Sequence, residues 1–248
     1  MGALTPVFLF LLFLSANSDE SSKLDSSCFS AIPIYGIDFN NTPTGRFTNG
    51  KTIADFIAIL YNLSLPPPYL SLTEAQRKTA MDGINYASAG CGIFPNTKPT
   101  GFKHPRTDES KYHLGCLTSV INQNIGPLGC LPSVINKTGN GHCDEQMNIM
   151  PYNSQLPQTL KNIQDEYLDA TLTLANSHDL LQDILADTKK YGFTDVKDPR
   201  CGTYVNGELA CIPNSTPCDN RCQYLFFDAS HTCEFANCIF VPDMLIKD

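Results

Sequence analysis

The chain has 248 residues, eleven cysteines and a formal net charge of -8 at pH 7, with 42% hydrophobic residues. That charge argues against a nucleic-acid or anionic-membrane partner, since both reward net positive charge. Eleven cysteines in this length fit an oxidising compartment better than a reducing cytosol, and the odd count leaves at least one thiol unpaired or paired with another chain.

Residues 1–16 contain the apolar run Val7-Phe-Leu-Phe-Leu-Leu-Phe-Leu14, followed by the small residues Ser15 and Ala16. This is the pattern of a secretory signal peptide, and it predicts a secreted (extracellular) protein. An N-terminal element buried in the fold is the alternative. The run is too short to span a bilayer, and no later segment reaches the apolar length needed, so the chain is not read as transmembrane. Four sequons, at Asn40, Asn62, Asn136 and Asn214, agree with export as a glycoprotein. Residues 17–34 read as a loose polar segment. Residues 35–248 are long enough for one domain with a real core.

Pro33 to Phe39 leads into the turn cluster Asn40-Asn-Thr-Pro-Thr-Gly45. From Asn49 the spacing of Ile53, Phe56, Ile57 and Leu60 predicts a helix with those residues on one face, ended by Pro66-Pro-Pro68. Ile84 to Ser88 predicts a short strand that empties into the small-residue bend Ala89-Gly-Cys-Gly92, where backbone N–H groups become free to face a ligand. Pro95 to Glu109 has no periodicity and reads as loop. Leu114 to Ile121 is ambiguous between strand and short helix, and Ile125 to Pro132 is a tight Gly/Pro loop. Cys130 and Cys143 are close enough in sequence to close a short loop around Asn136 to Gly141, but cysteine connectivity does not follow from spacing.

Ile149 to Leu185 carries the longest helical content. Pro157 is expected to divide it, with Leu160, Ile163, Tyr167 and Leu168 forming the apolar face beyond the break. Ala170 to Leu174 predicts a strand, and Ser177 to Leu185 a short helix with Ser177 as a cap. Val196 to Asn220 reads as a cysteine-stapled loop, and Glu234 to Ile246 as a final helix interrupted by Pro242. Strands alternating with helices predict an α/β fold with a parallel sheet. Only three or four strand candidates are found, fewer than a doubly wound sheet normally has.

Asp228 and His231, within Tyr224-Leu-Phe-Phe-Asp-Ala-Ser-His231, are the strongest chemical signal. In a serine hydrolase an imidazole takes the nucleophile's proton while a carboxylate fixes its tautomer. A capping aspartate beside a surface histidine is the plainer reading of the same residues. His104, His113, His142 and His178 read as surface or satisfied core groups. Cys218, Cys222, His231, Cys233 and Cys238 do not have zinc-site spacing, so no metal is expected.

Five stretches together resemble the plant GDSL esterase/lipase family of the SGNH hydrolase superfamily. They are Tyr35-Gly-Ile-Asp-Phe39, Pro43-Thr-Gly-Arg-Phe-Thr-Asn-Gly50, Asn85-Tyr-Ala-Ser-Ala-Gly-Cys-Gly-Ile93, Ile125-Gly-Pro-Leu-Gly-Cys-Leu-Pro132 and Tyr224 to His231. They occur in family order between Tyr35 and Asn237. The resemblance implies an SGNH-hydrolase (flavodoxin-like) three-layer parallel α/β sheet, here incomplete. It implies hydrolysis of carboxylic, lipid or acyl esters without a cofactor, acting on a small ester or lipid substrate. It makes Asp228 the triad acid, His231 the general base and Gly90 a backbone donor to the oxyanion.

Two family features are missing. No Gly-Asp-Ser-Leu sequence supplies the nucleophile, and no Gly-x-Asn-Asp-type block lies between Gly92 and Ile125. Ser26, Ser27 and Ser30 precede the first matching block but lack a strand-to-helix setting that would expose a hydroxyl. Cys28 is expected to be disulfide-bonded or free, and Ser88 to be structural. The resemblance thus predicts a member that has lost its nucleophile and oxyanion-asparagine segments. A catalytically inactive secreted remnant is the alternative to an active esterase.

Overall fold

The computed structural model describes residues 8–11, 35–42, 44–80, 82–85, 119–123, 126–139, 141–144, 150–168, 171–201, 203–205, 208–210 and 220–245. It divides into two compact units. One is built from Met1–Ser21, Ile57–Ile125 and Met150–Asn176, the other from Ser22–Phe56, Gly126–Ile149 and Ser177–Asp248.

The first unit holds a four-stranded sheet of β1 (Phe8–Leu11), β2 (Ile84–Asn85), β3 (Ser119–Gln123) and β4 (Thr171–Ala175). The order is β2-β1-β3-β4 and every pairing is parallel. Leu9 pairs with Ile84 on one side and Val120 on the other, so β1 is an inner strand. It lies within the apolar run expected as a leader. The ambiguous segment around Leu114 to Ile121 contributes strand β3, in register with β4 from Ser119↔Thr171 to Gln123↔Ala175. Parallel neighbours need crossover connections, which is why strands so far apart in sequence adjoin.

Helix α1 (Ile53–Leu60) begins where Thr52 and Asp55 cap it. The Thr52 N–H and hydroxyl both donate to Asp55 Oδ2 at 2.8 Å, satisfying an orphan donor of the first turn. Its buried face is Ile53, Ala54, Ile57 and Ala58, whereas Leu60 is 56% exposed. The two alanines, ignored by a count of large apolar residues, rotate the buried stripe away from the expected one. Nor does Pro66 end the helix. Asn62, at φ 56°, turns the chain left-handed, and Leu63 N–H donates to Ala58 O at 2.8 Å while Asn62 N–H donates to Ile59 O at 3.0 Å. That pair of bonds is a Schellman stop. Helix α2 (Glu74–Thr79) follows, with Thr73 and Gln76 forming a reciprocal capping box.

Helix α3 (Pro132–Thr138) occupies the loop between Cys130 and Cys143, which are disulfide-bonded. Proline at its first position has no N–H to waste, and Gly139 at φ 67° closes its far end. Helix α4 (Met150–Glu166) packs against β4 and continues through Pro157. The expected division does not occur: proline removes one helical hydrogen bond, but the flanking turns persist. Leu160 is buried; Leu168 lies beyond the helix and is 85% exposed, so it is not part of the apolar face.

In the second unit, α5 (Ser177–Ala186) packs against α6 (Glu234–Leu245), and α6 runs unbroken through Pro242. The segment read as a stapled loop contains β5 (Asp195–Pro199) and the antiparallel hairpin β6 (Thr203–Val205) with β7 (Glu208–Ala210). Strand β5 pairs in parallel with β8 (Tyr224–Phe226). Leu225, Phe226, Phe227, Phe193, Ile184 and Phe240 are almost fully buried. Each such side chain contributes about 1.5–3 kcal/mol relative to exposure. Among the described residues no helix is long and apolar enough to cross a membrane.

Candidate active site

Asp228 and His231 sit on the tight loop that joins β8 to α6. Leu225 to Asp228 are buried, so the chain leaves the core after Asp228 and returns at Cys233, which is also buried. The return is closed by backbone bonds: Phe227 N–H donates to His231 O at 2.8 Å and Cys233 N–H to Leu225 O at 3.0 Å. Ser133 N–H, from α3, donates to Ala229 O at 3.0 Å and pins the outside of the loop.

The Asp228 carboxylate, itself buried, organises the loop interior. Its Oδ1 accepts the Ser230 N–H at 2.8 Å and the His231 N–H at 2.6 Å. Its Oδ2 lies 2.7 Å from His231 Nδ1 and accepts the Tyr35 hydroxyl at 2.8 Å. The His231 side chain keeps 22% of its surface exposed, and among the described residues its Nε2 has no hydrogen-bond partner. The ring lies flat against Phe47, with centroids 5.1 Å apart and planes inclined by 19°.

Electrostatics follow from this geometry. Burial pushes the Asp228 carboxyl upward, yet the His231 charge and the hydrogen bonds from His231, Ser230 N–H and Tyr35 outweigh it and hold the group below its ordinary value. Burial pushes His231 downward, but the Asp228 carboxylate outweighs that and leaves the imidazole above its ordinary value of 6.5. Burial, with the carboxylate alongside, drives the Tyr35 phenol far up, so it remains a neutral donor. Chemically, an ionised carboxylate on Nδ1 selects the tautomer whose Nε2 is a free base, as proton abstraction from a hydroxyl requires.

The two sequence-predicted acid–base residues are therefore together. Gly90, Ser26, Ser27, Cys28, Ser30, Ser88, His104 and His113 lie outside the described residues, as does the sequon at Asn214. His142 is exposed, and His178 pairs with Asp179 at 3.1 Å. Asn40, Asn62 and Asn136 are exposed. Cys222, Cys233 and Cys238 are free thiols; Cys233 donates to Tyr224 O at 2.7 Å, and burial pushes its pKa up to about 11. Among the described residues no group of His, Cys, Asp or Glu side chains is arranged to hold a metal ion.

Sequence reasoning missed Tyr35 and Phe47. Both lie inside motif blocks already singled out, but Tyr35 is 193 residues from Asp228, and no local pattern encodes that meeting.

No family model matches the chain. Individual relatives do. A GDSL esterase/lipase of Arabidopsis thaliana is 29% identical over 290 aligned residues, covering 86% of this chain and 74% of the relative. A second GDSL esterase/lipase from the same plant is 29% identical, over 87% of this chain and 79% of its own length. A third is 27% identical, over 86% and 80% respectively. The first alignment is longer than the chain's 248 residues, so that relative has internal positions with no counterpart here. These similarities support GDSL esterase/lipase family membership in the broad sense.

Proposed function

We propose that the chain is a GDSL-type hydrolase of carboxylic esters, with Asp228 as triad acid, His231 as general base and the Gly90 N–H as an oxyanion donor. The observation that carries this reading is the contact of 2.7 Å between Asp228 Oδ2 and His231 Nδ1, with both backbone donors on Oδ1. In this scheme Nε2 takes the proton of an attacking hydroxyl and returns it to the leaving alcohol, and a water deprotonated by the same Nε2 then releases the acyl group, so that ester and water yield acid and alcohol. Asp228 stays ionised and keeps the ring in its base tautomer. The substrate is a small or lipid acyl ester, as the relatives' description as esterase/lipases suggests.

We place this site on a flavodoxin-like three-layer domain of residues 35–248 that lacks the nucleophile and oxyanion-asparagine segments. The absence of Gly-Asp-Ser-Leu favours a second reading: a secreted glycoprotein that retains the acid–base pair without turnover. Export behind a leader of residues 1–16, and glycans on Asn40, Asn62, Asn136 and Asn214, belong to both readings. The Cys130–Cys143 bond fits that compartment.

The test is hydrolysis of a short-chain p-nitrophenyl ester by the purified chain beside His231→Ala and Asp228→Asn. Active-hydrolase chemistry predicts turnover that His231→Ala abolishes and Asp228→Asn lowers by about 10⁴-fold through loss of the correct tautomer. Folded protein with no His231-dependent turnover would leave the second reading standing. Intact mass of the exported protein decides the role of Phe8–Leu11, since removal of residues 1–16 would take β1 away from β2 and β3.

A further inference from the structure

Four side chains at this site close on one another in a ring. Tyr35 donates to Asp228, Asp228 faces His231, His231 stacks on Phe47, and the Phe47 ring meets the Tyr35 ring edge-on at 5.8 Å. Phe227 holds the Tyr35 ring from another side, at 5.6 Å and 70°. Tyr35 thus packs against two aromatic neighbours, and among the described residues its hydroxyl has one acceptor, the carboxylate oxygen that also serves the imidazole.

A carboxylate offers about four lone-pair sites. In Asp228 two on Oδ1 are filled by backbone N–H groups, and those on Oδ2 by His231 and Tyr35. The segment carrying Tyr35 is anchored in turn. Asp38 N–H donates to Asn49 O at 2.7 Å, the Asp38 carboxylate accepts Asn49 Nδ2 at 2.5 Å, and Arg221 Nε donates to it at 2.7 Å. We infer that Tyr35 is a positioning residue for His231, acting through Asp228: its hydroxyl takes part of the Oδ2 electron density and thereby sets how strongly the carboxylate holds the Nδ1 proton. The inference rests on the reading of Asp228 and His231 as acid and base.

The physical consequence has a sign. A donor on Oδ2 makes the carboxylate less basic. Without it, three donors remain on a buried anion, which then pulls harder on the imidazole proton. His231 would stay protonated to higher pH and be a poorer base at neutrality. Among the described residues, Asp228 is the charged group acting on His231, and Tyr35 is the other titratable group on Asp228. Phe47 and Phe227 add apolar faces, so the readout is not confounded by a distant charge.

The experiment is an NMR titration of the His231 ring in the full, isotope-labelled chain, with His231→Ala assigning the resonances. Tyr35→Phe keeps the ring and both aromatic contacts and removes only the hydroxyl. It should raise the His231 midpoint by about half a pH unit or more, the scale expected for one hydrogen bond to a charged group passed on in part to its neighbour. Site-specific 3-fluorotyrosine at position 35 strengthens the donor without altering packing and should lower the midpoint. A role confined to packing moves neither. Midpoints unchanged in both proteins, or shifted with the opposite signs, overturn the inference. If Tyr35→Phe does not fold, the fluorinated chain decides alone. The titration needs no turnover, so it can fail while ester hydrolysis succeeds, and succeed in a chain without activity.

Discussion

The sheet unit and the unit carrying Asp228 and His231 are held together by different means. The sheet is a set of backbone ladders in unbroken parallel register, such as Ser119–Gln123 against Thr171–Ala175. Among the described residues the site-bearing unit has short strand pairs, and several of its distant segments are joined by single polar side chains. Thr48 Oγ1 donates to Thr232 O at 3.0 Å, Glu234 N–H donates to Asn49 Oδ1 at 2.8 Å, and Asn237 Nδ2 donates to Lys51 O at 3.0 Å. Each of these spans more than 180 residues of sequence. A ladder spreads its stability over many equivalent bonds, whereas a side-chain tie concentrates it in one residue. Precision at Asp228 is thereby obtained from a few replaceable groups.

If that contrast holds, single substitutions in the site-bearing unit cost far more than comparable ones elsewhere. Cys130→Ser should have the largest effect, about 3 kcal/mol for a loop of this length, read from the urea midpoint of unfolding. The loss also frees α3, whose Ser133 N–H pins the Asp228 loop. Asn49→Ala comes next, at roughly 2 kcal/mol, because the part-buried Glu234 N–H and Asp38 lose the partner that buried Asn49 supplies to both. A midpoint unchanged by Asn49→Ala would mean that the ties do not carry the unit.

A pH series sharpens the comparison. Asp228 is lowered from 3.8, so its contribution is present above that value and is lost as pH falls through the folded value. His231 is raised from 6.5, so its contribution is full below 6.5 and is lost as pH rises through the folded value. The stability difference between the natural chain and His231→Gln should therefore peak between 3.8 and 6.5 and shrink on both sides. A difference flat with pH would show that the pair adds nothing electrostatic to folding. At the other extreme, Leu60→Ser, on the exposed end of α1, should change stability by no more than about 0.5 kcal/mol. A loss of several times that would mean Leu60 is not at a surface.

What could be read from the sequence is what depends on neighbours along the chain. Helix α5 and strand β4 fall within one residue of their expected ends, because their periodicity is local, although Ser177, expected as the cap, is the first residue of the helix. Asp228 and His231 could be picked out for the same reason: a spacing of three on a tight loop already brings carboxylate and imidazole within reach of each other. The aspartate's two backbone bonds, to Ser230 and His231, are equally short-range.

Only the tertiary structure decided the rest. Pro157 and Pro242 look like breaks in sequence, yet both helices continue through them, because packing of the flanking turns offsets one missing hydrogen bond. The buried stripe of α1 runs through Ala54 and Ala58, small residues that a count of large apolar side chains passes over. The apolar run at Phe8–Leu11 has the composition of a leader, and only its pairing with Ile84 and Val120 makes it a strand. The meeting of Tyr35 and Phe47 with Asp228 and His231 is the same kind of fact. Residues that fix an imidazole from opposite ends of a chain leave no periodicity behind, because their contact is set by how the segments pack and not by how far apart they are written.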